Sequence, residues 1–86
     1  MTARYRLEIK RSAEKEIRTL PKNVARRVID AIADLTKEPR GPGSQKLAGT
    51  EAYRSRVGTY RILYTIDDAA HRVMVVAVGH RREVYR

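Results

Sequence analysis

The chain has no cysteine, no apolar run that approaches a membrane span, and fewer acidic than basic groups. Each shortage excludes something. Without cysteine there can be no disulfide and no thiolate metal site, and a reducing cytosol fits. A membrane helix takes about 18 or more consecutive apolar residues, and no stretch comes near that. The opening "MTARYRLEIKRS" alternates polar and apolar residues without an apolar h-region, so it does not read as a signal peptide. The two histidines, His71 and His80, have no nearby ligand spacing, which disfavours a metal. Gly41, Gly43 and Gly49 match neither phosphate-loop fingerprint. Ser12, Ser44 and Ser55 lack a nucleophile-elbow context. The expectation is a soluble, cytoplasmic protein with no metal, no cofactor and no membrane partner.

What is present is positive charge. In 86 residues there are 19 Lys+Arg against 10 Asp+Glu, a net +9. Arginine greatly outnumbers lysine. Its planar fork grips phosphate bidentately and stacks on bases, so the bias suits nucleic acid. The charge is spread along the chain: residues 1–39 carry 10 basic and 6 acidic residues, residues 40–86 carry 9 and 4. A cationic site must therefore be assembled by folding. Length and composition, 42% hydrophobic and 34% charged, fit one globular domain over residues 1–86.

"YRLEIK" places Tyr5, Leu7 and Ile9 on one face at period two, a half-buried strand. Ser12 offers a helix N-cap, with Glu14 and Glu16 in the favourable first turn. Leu20-Pro21 breaks that helix, and Pro21 opens a second one running to about Lys37, with Val24, Val28, Ile32 and Leu35 as its apolar stripe. Glu38 to Gly49, dense in Gly and Pro, reads as a loop. Three strands follow, at about Tyr53–Val57, Thr59–Ile66 and Arg72–His80, with Asp67–Ala70 as the last turn. The order β-α-α-β-β-β predicts an α+β domain, a two-helix hairpin packed on a mostly antiparallel four-stranded sheet.

"YRSRVGTYRILY" carries the sharpest expectation. Gly58-Thr59 fits a two-residue type II′ turn with Gly first. That register sets Val57 against Tyr60, Arg56 against Arg61 and Arg54 against Leu63. Tyr53, Ser55, Val57, Tyr60, Ile62 and Tyr64 then face the helices, and Arg54, Arg56, Arg61 and Leu63 face away. Like charges opposite one another repel, so the Arg56–Arg61 pair argues for a polyanion site. Ordinary solvated arginines, their stems covering apolar surface, are the other reading. The closing "VVAVGHRREVYR" offers His80, Arg81, Arg82 and Tyr85 to the same face, Tyr85 as a ring for stacking or as packing over a sheet edge.

The quoted stretches together resemble the RelE/ParE superfamily of toxins from type II toxin–antitoxin pairs, on its RelE-like branch. The similarity runs from the opening strand and "SAEKEIRTLP" through "KLAG...YRSRVGTYRILYTID" to "VVAVGHRREVY". It implies a RelE-like fold, similar to microbial ribonucleases. It also implies ribosome-dependent cleavage of messenger RNA, with the ribosome, the message and a cognate antitoxin as partners. Carried onto this sequence, Arg61 would stabilise the phosphate, Arg81 would lie near the leaving oxygen and Tyr85 would stack on the nucleotide. Arg56 would join them in catalysis, although it and Arg54 stand where family members carry lysines. Lys46, Arg54, His80 and Arg82 would bind RNA. Tyr85 is followed by one residue, where members often continue into a short helix. Arg56 is a poor general base, since guanidinium stays protonated to about pH 12 and beyond. That leaves His80, Glu83 or electrostatic stabilisation. A ParE-like gyrase poison of the same fold and a catalytically silent RNA-binding module are the alternatives.

Overall fold

The computed structural model describes residues 4–80. The elements are β1 (Arg6–Ile9), α1 (Arg11–Arg18), α2 (Lys22–Lys37), β2 (Ser44–Lys46), β3 (Ala52–Val57), β4 (Tyr60–Asp67) and β5 (Arg72–His80). The strands form one sheet in the order β1-β5-β4-β3-β2, antiparallel throughout except for the parallel β1–β5 pair. Both helices pack on one face, and the other face is covered by no described helix.

The helices form where the apolar spacing predicts. Val28, Ile32 and Leu35 of α2 and Ala13 of α1 are buried against Val57, Ile62, Tyr64, Val73, Val75 and Val78. Burying a Val or Ile side chain contributes about 1.5–3 kcal/mol, so this cluster is the main source of stability. The Tyr64 hydroxyl, fully enclosed, donates to the Pro39 carbonyl oxygen at 2.7 Å. That bond ties the loop after α2 to the sheet centre. Burial pushes the Tyr64 phenol above its ordinary pKa.

Four details depart from the sequence-based expectation. The sheet has five strands, because Ser44–Lys46, inside the segment read as a loop, pairs with β3. Helix α1 begins at Arg11, with Lys10 rather than Ser12 at the cap position and no side-chain cap bond. Pro21 stands just before α2 rather than inside it. Leu7, expected to be half-buried with Tyr5 and Ile9, is 41% exposed, on an edge strand flanked by β5 on one side only.

Two features of β5 shape everything downstream. Leu63 pairs with Ala77 and Tyr64 with Val75, so Val76 is the extra residue of a bulge. The bulge changes the alternation: Val73 and Val75 face the helices, and so does Val78, three residues on. Beyond the end of β1, the Val78 N–H donates to the Glu16 carboxylate at 3.0 Å. A side chain of α1 thus supplies an acceptor that no strand provides there.

Candidate nucleic-acid interface

The β3–β4 hairpin has the predicted register, with Val57 against Tyr60, Arg56 against Arg61 and Arg54 against Leu63. Gly58 has φ +61°, the left-handed value its turn position requires and the reason a residue without a β-carbon stands there. Ile62 and Tyr64 are buried under the helices, so Arg54, Arg56 and Arg61 project from the opposite face, which no described helix covers. Arg56 is exposed; Arg54 and Arg61 are half-buried. Arg54 donates to the Gln45 side-chain oxygen across the β2–β3 pair, which orients its guanidinium. Nothing in the sequence pattern points to Gln45, because β2 itself is too short to show an alternation. On its other side Arg61 faces Gly79, which adds no side chain to that face.

Other residues expected at the site separate from it. Lys46 pairs with Tyr53, and Tyr53 lies on the helix side, so Lys46 does not share the arginine face. His80 pairs with Tyr60 and packs edge-on to its ring, centroids 5.8 Å apart, on the helix side. The Val76 bulge causes this: an unbroken alternation from Val75 would carry His80 to the arginine side. Arg81, Arg82 and Tyr85, together with Glu83, lie outside the described residues. The part of the expected constellation described on one face is therefore Arg54, Arg56 and Arg61.

The opposite end of the sheet holds a different cluster. Arg40 grips Asp68 with both terminal nitrogens, at 3.2 and 2.9 Å, and its Nε donates to the Tyr53 hydroxyl at 3.1 Å. Tyr5 donates to Asp68 at 2.8 Å and stacks on His71, ring centroids 3.9 Å apart. Arg40 and Tyr5 together hold the Asp68 carboxyl below its usual range, and Asp68 raises the Tyr5 phenol. His71 has φ 55°, a left-handed conformation unusual for a residue with a side chain. The Tyr5 ring over His71 covers the turn in which that strain sits. On the open face, Arg72 bonds Glu8 at 3.0 Å and approaches Asp67 at 3.5 Å. At this end Arg40 and Arg72 are matched by the carboxylates of Asp68, Glu8 and Asp67.

A cleft of about 430 Å³ runs between α2 and the β2–β3 edge, lined among others by Asp34, Glu38, Ser44 and Ser55. Its carboxylates are the wrong sign for a polyanion.

Two helices over one face of a five-stranded sheet, with arginines on the face that no described helix covers, define a basic two-layer α+β domain. Comparison with known proteins gives that class a family. The sequence model of the ParE toxin of type II toxin–antitoxin systems, parDE, matches residues 7–85. Toxin RelG of Mycobacterium tuberculosis is 36% identical over 86 aligned positions, covering 95% of this chain and 97% of that protein. The toxin–antitoxin complex RelBE2 of the same organism contains a chain with the same fold, at a TM-score of 0.82 and 30% identity, covering 91% of this chain and 99% of that one. The intact RelBE toxin–antitoxin complex of Escherichia coli matches with a TM-score of 0.79 at 28% identity, over 88% and 95% of the two chains. This chain belongs to the RelE/ParE family of toxins of type II toxin–antitoxin systems.

Proposed function

We propose that this toxin cleaves messenger RNA on translating ribosomes and is neutralised by a cognate antitoxin that covers its basic surface. The observation that carries the reading is Arg56 directly opposite Arg61 on the sheet face that no described helix covers, with Arg54 beside them. Like charges at that spacing cost stability in the free protein and gain it when a phosphate lies between them. In the proposed reaction the ribose 2′-oxygen attacks the adjacent phosphorus and the bond to the 5′-oxygen breaks. The products are a 2′,3′-cyclic phosphate and a 5′-hydroxyl, the 2′ proton leaving to water and a proton from water going to the 5′-oxygen. Arg61 holds the non-bridging oxygens as charge develops there, and Arg56 adds to the field. Neither removes the 2′ proton, because guanidinium does not give up its own. His80 sits on the opposite face of the sheet. Rate enhancement on this face therefore rests on preorganised positive charge, with Arg81 and Tyr85 proposed to act on the leaving oxygen and the base.

The relatives solved with antitoxins support the partner, and a surface of net +9 suits an acidic segment. A ribosomal target places the toxin in the cytoplasm. No helix among the described residues is long and apolar enough to cross a membrane. The family model's own description, ParE, keeps a second reading in play, poisoning of DNA gyrase.

Induced expression of the wild type and of an Arg61→Ala/Arg81→Ala/Tyr85→Phe variant, with primer extension on a translated message, separates these. Growth arrest with cuts inside codons, lost in the variant, is expected. Arrest with DNA damage and intact message would move the protein to the gyrase branch. Folded protein giving neither arrest nor cuts would leave an RNA-binding module without activity.

A further inference from the structure

The helix side of the hairpin tip holds a cation that the proposed reaction does not use. Both terminal nitrogens of Arg27, in the second turn of α2, lie 3.6 and 3.8 Å from where a β-carbon on Gly58 would sit. Gly58 has none, so the guanidinium rests against a bare turn. Arg27 is exposed, and no carboxylate among the described residues lies within ion-pair distance of it. Asp30 stands three residues on, at a spacing helices commonly use for ion pairs, yet the two do not bond. The first turn of α2 has no acidic residue either. Tyr60 and His80 continue the same side of the sheet with two aromatic rings. Gly58-Thr59 thus separates Arg27 on one side from Arg56 and Arg61 on the other.

An exposed guanidinium lying beside a turn, with no acid among the described residues to satisfy it, is chemically suited to a phosphodiester oxygen. We propose that Arg27 is a second phosphate contact, so that RNA backbone passes on both sides of the β3–β4 tip. One stretch crosses Arg54, Arg56 and Arg61, and another lies against Arg27. The inference rests on the RNA-cleaving reading and extends it. The Arg27 contact reads no base, since phosphate contacts position a protein without specifying sequence. An acidic antitoxin segment would suit the same charge, but the contact is assigned to RNA because it continues around the tip from the face proposed to hold the message.

The test measures equilibrium binding of the full chain to a 20-nucleotide single-stranded RNA and to purified bacterial ribosomes, across a salt series. Arg27→Gln is expected to weaken binding to at least one probe and to lower the slope of log affinity against log salt by about 1. Arg27→Lys, which keeps a charge, is expected to restore the slope. Loss with the oligonucleotide would place the second stretch on the bound strand; loss with ribosomes alone would place it on the ribosome's own RNA. Unchanged affinity and slope in Arg27→Gln, with salt-dependent binding by the wild type, would overturn this inference and leave the reaction standing. So would a defect confined to antitoxin binding. Wild type that binds neither probe with a salt dependence would overturn both. An unchanged thermal melting midpoint, expected for an exposed side chain, excludes misfolding as the cause.

Discussion

The backbone N–H of Val78 in β5 donates to the carboxylate of Glu16 in α1 at 3.0 Å, across 62 residues of sequence. Through this bond the first helix holds the strand whose end leads toward the proposed site. Leaving such a partly buried donor without an acceptor costs about 1–3 kcal/mol. Glu16→Ala should therefore lower the melting midpoint by several degrees, a 1 kcal/mol loss being worth roughly 4–8 °C in a domain of this size. Glu16→Gln keeps an amide oxygen and should lose less. Equal losses in the two variants would show that charge, not the acceptor, is what Glu16 supplies.

Arg56 opposite Arg61 predicts a trade between stability and binding. Replacing Arg56 by Glu turns a repulsive cross-strand pair into an attractive one and should stabilise the fold by about 0.2–1 kcal/mol. The same change should abolish RNA binding. Urea denaturation beside an RNA titration checks both, and a destabilised Arg56→Glu protein would refute the repulsion argument.

The clamp of Arg40, Asp68 and Tyr5 sets an acid limit. Asp68 is held below the usual carboxylate range, chiefly by Arg40 and then by Tyr5. As pH falls, the unfolded chain binds the proton first. The clamp's contribution is therefore complete above the ordinary carboxylate pKa of about 4 and is lost as pH falls through the lower folded value. Tyr5 is raised by Asp68, so its contribution is intact below about pH 10 and lost above. Denaturation midpoints across pH should fall more steeply on the acid side for the wild type than for Asp68→Asn. Identical acid limbs would show that the clamp does not couple to folding.

Tyr64→Phe removes the buried hydroxyl that donates to Pro39 and leaves the ring volume almost unchanged. A cost of about 1 kcal/mol is expected. The loop after α2 should exchange its amide hydrogens faster, read by hydrogen exchange. A neutral substitution would mean that Arg40 and the loop's own turn bonds suffice to hold it.

The arginine hairpin was legible because all its determinants are local. Gly58-Thr59 marks a two-residue turn, and alternation on either side fixes the faces. The two helices were legible from Val24, Val28, Ile32 and Leu35 and from the break at Leu20-Pro21. Strand β2 was not, since three residues between Gly43 and Leu47 carry no period. Nor was the side taken by His80. The run Val75–Val78 is apolar at every position, so nothing in it marks Val76 as the residue that shifts the alternation. Glu16 looked like an ordinary first-turn acid, because its partner lies 62 residues away. The Tyr5–Asp68 contact, 63 residues apart, is hidden for the same reason.

The parallel pairing of β1 with β5 has a consequence for synthesis. The first strand has one strand neighbour, and that neighbour spans residues 72–80. Until residues 72–80 have been made and have left the ribosome, β1 has no strand among the described residues to pair with, and the sheet cannot close. Contacts of such long sequence separation also form slowly. For a protein proposed to attack translating ribosomes, this pairing postpones the active fold until residues 72–80 are available.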